Sequence, residues 1–127
     1  MMEDTKAVVL FGHGARDPEW AKPMRRAREL LLARTPGLAV ELAFLEFIKP
    51  ELADAIDTLA AGGARRITVI PMFLAQGGHL KKDLPLLIEA ARERHAGCDI
   101  RQAQAVGESD TVIGAMADYA AHCAENA

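Results

Sequence analysis

Hydrophobic positions along this chain fall into short continuous runs, separated by longer stretches in which they recur every three or four residues. The runs have the pattern of strands buried on both faces, and the wider spacing is that of helices packed by one side. Four runs stand out, at residues 6–11, 39–45, 67–74 and, more weakly, 99–106. After the first, Asp17-Pro18 supplies an N-cap and a proline for a helix reaching about Ala33, with Trp20, Met24, Ala27, Leu30 and Leu31 at helical spacing. Pro50 opens a second helix, with Leu52, Ile56 and Leu59 on one face and Gly62-Gly63 as its stop. Asp83-Leu84-Pro85 reads as the cap of a third, with Leu86, Leu87, Ala90 and Ala91 as its apolar part, and a fourth runs over about 109–123. Pro71 predicts an edge or a bulge late in the third strand, because proline cannot donate to a ladder.

Strands alternating with helices predict a three-layer α/β/α domain spanning residues 1–127, with a four-stranded parallel sheet. The right-handed crossover rule favours the flavodoxin-like order 2-1-3-4, with the first strand central. That order has a chemical consequence. His13 follows the first strand, Glu46 the second and His79 the third, so all three are expected at the carboxyl edge where open α/β sheets place ligands. Neighbouring strands lie about 4.8 Å apart, within side-chain reach. Neutral imidazoles suit first-row metals, and a carboxylate can complete the coordination or take up protons. Flanking glycines in Gly12-His13-Gly14 let the backbone turn and leave the imidazole accessible.

Composition narrows the partners. The chain has 127 residues, half of them hydrophobic, and a formal charge of -3. No basic surface dominates, which argues against a general nucleic-acid binder. Cys98 and Cys123 form no C-x-x-C pair and no dense disulfide framework, as expected of reduced thiols in a cytoplasmic protein. The polar first residues run directly into a short strand and make a poor secretory signal, and no stretch has the length of a membrane span. His95 and His122 fall late in predicted helices, where a cation favours the helix dipole, and read as structural.

Taken together, Gly12-His13-Gly14-Ala15-Arg16-Asp17, Phe44-Leu45-Glu46-Phe47, Pro71-Met72-Phe73-Leu74 and Gly77-Gly78-His79-Leu80-Lys81-Lys82-Asp83-Leu84-Pro85 resemble the short CbiX/SirB-type sirohydrochlorin chelatases. The match runs in order and with the right spacing to about Val106. The resemblance implies a class II chelatase-like fold and insertion of Co2+ or Fe2+ into the tetrapyrrole sirohydrochlorin without ATP, on the path to cobalamin or sirohaem. No G-x-x-x-x-G-K-[ST] loop is present, in keeping with that. It further implies that His13 and His79 are the metal-binding and base histidines and Glu46 the acidic residue of the same site. The metal, whether Co2+, Fe2+ or Ni2+, is then a substrate, and no permanently bound cofactor is expected. Larger chelatases of this kind contain two similar halves, so the resemblance implies a homodimer here. Many relatives have serine where this chain has Ala15, which removes any hydroxyl contact from that position.

Chelation needs pyrrole N–H protons to leave as the metal enters, and histidine titrates in the right range to take them. The carboxylate-bearing macrocycle needs cations, and Arg16, Lys49, Lys81 and Lys82 lie within three residues of the proposed site positions. Arg16 is suited to a bidentate carboxylate contact, whereas exposed charge is the default state of lysine. Leu45, Phe47, Met72, Phe73 and Leu80 are available as apolar walls. A non-catalytic tetrapyrrole or metal carrier would use the same pocket. A hydrolase or phosphotransfer domain fits less well, for there is no G-x-S-x-G elbow.

Overall fold

The computed structural model describes residues 5–127; of the polar first residues read above, 1–4 lie outside them. Four strands, β1 (Lys6–Gly12), β2 (Ala39–Phe44), β3 (Arg66–Pro71) and β4 (Asp99–Gln102), pair in parallel in the order β2-β1-β3-β4. The helices are α1 (Lys22–Arg34), α2 (Leu52–Ala61), α3 (Gly78–Arg94) and α4 (Asp110–Glu125), with short 3-10 turns at Pro18–Ala21 and Val106–Glu108. This is the expected α/β class and strand order.

Alternation along the strands splits the core in two. Ala7, Val9, Phe11, Ile67, Val69 and Ile100 point to one face of the sheet, where α2 contributes Leu52, Ile56 and Leu59 and α3 contributes Leu80, Leu84 and Ile88. Leu10, Val40 and Phe44 point to the other, where Ala21 and Met24 cover them. β1 is buried from both sides, which is why it reads as an unbroken apolar run.

Pro71 sits in neither an edge nor a bulge. It ends β3, an interior strand. The Met72 N–H donates to the Phe11 carbonyl on the β1 side at 2.8 Å, so the preceding residue turns its nitrogen toward β4. β4 pairs only as far as Val69, so no ladder bond is lost there.

Helix boundaries depart from the expectations. Asp17 caps the 3-10 turn, accepting from the Glu19 N–H at 2.9 Å, and the α-helix starts at Lys22. α2 begins at Leu52 with Glu51 at its cap position, because the Pro50 carbonyl is taken by the Phe44 N–H at 2.9 Å and the chain there still follows β2. α3 begins at Gly78, five residues before the expected cap, with Pro85 inside it. Burial of Leu80 and Leu84 in the core extends the helix backwards, and Leu86 and Leu87, expected on the apolar face, are exposed. β4 stops at Gln102, after which the Ala103 N–H still donates to the Val69 carbonyl at 2.9 Å.

Candidate functional site

The hydrogen-bonded zipper between β1 and β2 continues past both strands. Leu45 N–H donates to the Gly12 carbonyl at 3.0 Å, and Glu46 N–H to the His13 carbonyl at 3.1 Å. The two loops are thereby held in register by backbone alone. Gly14 makes this possible: its φ is +94°, and a Cβ there would lie 1.8 Å from the Glu46 carbonyl oxygen.

In that register the side chains meet, with His13 Nε2 3.0 Å from Glu46 Oε1. Both are about half exposed, so the pair is open to solvent. Metal bonds of ~2.1 Å at a right angle put two donors about 3.0 Å apart, so one cation can be gripped by both without moving either loop. With no cation, Glu46 can accept the Nε2 proton and fix the ring's tautomer and orientation.

Beyond Glu46 the chain makes a three-residue turn. Ile48 N–H donates to the Glu46 carbonyl at 2.9 Å, and Phe47 between them has φ +68°. Such turns are rare and strained. The turn thrusts Phe47 outward, and the Arg16 guanidinium lies over its ring at 5.1 Å from the centroid. Arg16 is therefore drawn toward the Glu46 loop. Lys49 stands on the same loop, 3.6 Å from Glu51.

His79 has a different setting. It is the second residue of α3, exposed, in a turn capped by Gly77. Among the described residues no three His, Cys, Asp or Glu side chains lie close enough to hold a metal, so His13 and Glu46 form a pair and His79 stands apart from it. Lys81 and Lys82 are exposed on the same first turns of α3. Pro85 has no N–H for the Lys81 carbonyl, so the segment carrying these residues is tied less firmly to the rest of the helix.

Of the apolar candidates, Leu80 is core, and Phe73 is half-buried, edge-on to Phe11 at 6.2 Å between centroids. Leu45 and Phe47 are exposed, and so is Leu74, which the sequence reading did not single out. A residue ending a strand looks like core in sequence. Leu74 instead lies three residues beyond the end of β3, where Gly107 packs on its backbone so closely that a Cβ would lie 2.0 Å from the Leu74 carbonyl oxygen.

The CbiX family model matches residues 7–122. The sirohydrochlorin cobaltochelatase of Priestia megaterium is 32% identical over 112 residues, which cover 85% of this chain and 35% of that protein. That of Saccharolobus islandicus strain L.S.2.15 is 43% identical over 81 residues, 64% of this chain and 62% of the relative. The chain thus spans between about a third and under two thirds of the length of these curated relatives. Among solved structures, a CbiX protein from Marinobacter aquaeolei VT8 superposes with a TM-score of 0.83 at 29% identity, covering 96% of this chain and 99% of that one. SirB of Bacillus subtilis subspecies spizizenii, in complex with cobalt, gives 0.72 at 25% identity, over 80% of this chain and 44% of that one. SirB of Bacillus subtilis with Fe3+ gives 0.74 at 25%, over 87% and 44%. With a family match over nearly its whole length and the same strand order reached from its own residues, the chain belongs to the CbiX family.

Proposed function

We propose that this chain is an ATP-independent chelatase that inserts Co2+ or Fe2+ into sirohydrochlorin. The observation that carries the reading is the His13–Glu46 pair, 3.0 Å apart and open to solvent on two backbone-zipped loops. The names of the relatives and the cobalt and iron held by the SirB structures support the substrates.

In this mechanism His13 and Glu46 take up the cation from solution, and two donors hold it loosely enough for the macrocycle nitrogens to strip it away. His13, freed of the metal, accepts a pyrrole proton and Glu46 stabilises the resulting imidazolium. His79, apart from that pair on the first turn of α3, serves as the second base histidine and takes the other pyrrole proton. Arg16, Lys49, Lys81 and Lys82 bind the macrocycle's carboxylates, with Arg16 held ready by Phe47. Phe47 and Leu45 offer apolar surface to the ring faces. The chain acts as one chelatase domain over residues 1–127, in the cytoplasm, in cobalamin or sirohaem synthesis. Two copies close the cleft that one leaves open. Among the described residues no helix is long and apolar enough to cross a membrane.

The test is the absorbance change of sirohydrochlorin on anaerobic addition of Co2+, Fe2+ or Ni2+, followed with the wild-type protein, with His13→Ala and with no protein. Acceleration by wild type that falls to the uncatalysed rate in His13→Ala is expected. Equal rates in all three samples, with tetrapyrrole still bound, would replace the enzyme by a carrier.

A further inference from the structure

Gly14 admits a carbonyl; Gly12, on the other side of His13, admits side chains. It ends β1 with no positive φ, so backbone conformation does not call for a glycine there. Space does. A Cβ at Gly12 would collide with the Met24 sulfur and lie 3.3 Å from the edge of the Trp20 ring. The turn that returns after β1 therefore lies flat on the last residue of that strand.

The same indole reaches the neighbouring strand. It lies edge-on to Phe44, with 6.4 Å between ring centroids and 64° between planes. Gly12 and Phe44 are partners in the last rung of the β1–β2 pairing, so one side chain bears on both strand ends just before His13 and Glu46. Phe44 is also the base of the Glu46 loop, because its N–H closes that loop on the Pro50 carbonyl. Trp20 is itself held, its N–H donating to the Asp17 carbonyl at 3.1 Å and the next residue, Ala21, fully buried. Four residues earlier Arg16 lies on Phe47. The segment after His13 thus grips the Glu46 loop on both sides of the carboxylate.

Core filling does not account for this side chain. Trp20 stays 40% exposed, while Ala21 and Met24 from the same stretch of chain already cover Leu10 and Val40. What a tryptophan adds is a rigid, flat reach across two strands. The backbone bonds of the zipper decide which residues pair, but paired strands still twist against each other, most of all where the ladder ends. A ring wedged on the last rung resists that movement. His13 stands one residue beyond the rung and Glu46 two, so their 3.0 Å separation depends on how the strand ends are held.

We infer that Trp20 is a positioning residue of this site, holding the ends of β1 and β2 at the spacing that lets His13 and Glu46 share one cation. In this role it touches neither the metal nor the macrocycle. The inference rests on the metal-binding role proposed above for the pair and adds a residue that acts through it. Groups that orient metal ligands from behind are commonly worth about ten- to a hundredfold in affinity.

Calorimetric titration of Co2+ alone into the intact chain tests this, with thermal unfolding of each variant beside it. Trp20→Ala is expected to bind Co2+ about tenfold more weakly than wild type, and Trp20→Phe, which keeps a ring on the rung, within about threefold of it. Leu31→Ala is the control for stability. It removes apolar contact from the same layer about two turns along α1 from Met24, and is expected to lower the thermal midpoint while leaving Co2+ affinity unchanged. If Trp20→Ala loses its helical circular dichroism, Trp20→Leu, which keeps apolar cover beside Met24, is read in its place, with the same loss expected. Wild-type affinity in the alanine or leucine variant, no rescue by phenylalanine, or an equal loss in Leu31→Ala would overturn the positioning role, as would a wild-type chain that takes up no Co2+. The metallation rate of sirohydrochlorin decides the chelatase reading separately, so a chain that binds Co2+ through this arrangement without accelerating metallation would sink that reading alone.

Discussion

At the scale of single residues the site is held by a glycine more than by its chemical groups. Gly14 answers two demands, a positive φ and the approach of the Glu46 carbonyl, and alanine meets neither. Gly14→Ala is expected to cost about 2–4 kcal/mol and to lower the thermal midpoint by roughly 10 °C. Gly37 is the fitting control. Its φ is +90° with nothing near a Cβ, so Gly37→Ala should cost only backbone strain, about 1 kcal/mol. Thermal unfolding of both variants checks this, and equal losses would mean that the loop contact at Gly14 is unimportant. The glycines around His13 were legible in sequence as a sign of a tight turn. Which atom came close was not, because the Glu46 carbonyl arrives from a loop more than thirty residues away, and the outward turn of Phe47 depends on the same long-range register.

At the scale of elements, the two helices on the larger core are tied together at one end. Asp57 on α2 accepts from His95 at the end of α3, with Oδ1 2.6 Å from Nε2, and from Arg94. The His95 bond, then the Arg94 bond, hold the Asp57 carboxyl below its ordinary range. A carboxyl lowered by folding stabilises the protein above its unfolded value, near 3.9, and that contribution is lost as pH falls through the lower folded value. Asp57→Asn is therefore expected to lower the urea midpoint at neutral pH, by less than about 1 kcal/mol for so exposed a cluster, with the gap closing below about pH 4. A gap that persists at pH 3 would rule out the charge as its source. Strands and their order were readable because an interior parallel strand must be apolar on both sides. The start of α3 was not. Asp83-Leu84-Pro85 has the local chemistry of a helix start, but Leu80 and Leu84 gain more by entering the core as one helical face. His79 thus moves from a loop onto a helix, which sequence spacing alone does not reveal. His95, read as structural from its place late in a helix, is held by a partner on α2 that only the tertiary fold supplies.

At the scale of the whole molecule, the sheet divides the interior unequally. Large side chains from two helices, Ile56, Leu84 and Ile88 among them, fill one side, and on the other α1 alone buries Met24 against Leu10, Val40 and Phe44. The sequence made both layers visible as helices, but not that α4 would bury no residue, since an amphipathic stripe reads the same whether or not its own sheet covers it. Unequal filling also means unequal opening. The free energy needed to expose a layer follows the contacts it surrenders, so the thin layer should swing open far more often than the whole chain unfolds. Amide hydrogen exchange followed by mass spectrometry is expected to give α1 measurably weaker protection than α3. Equal protection would mean that the two layers open as one. A sheet that breathes on one side would loosen the end of β1 that carries His13 from that face alone, while α2 and α3 hold the other.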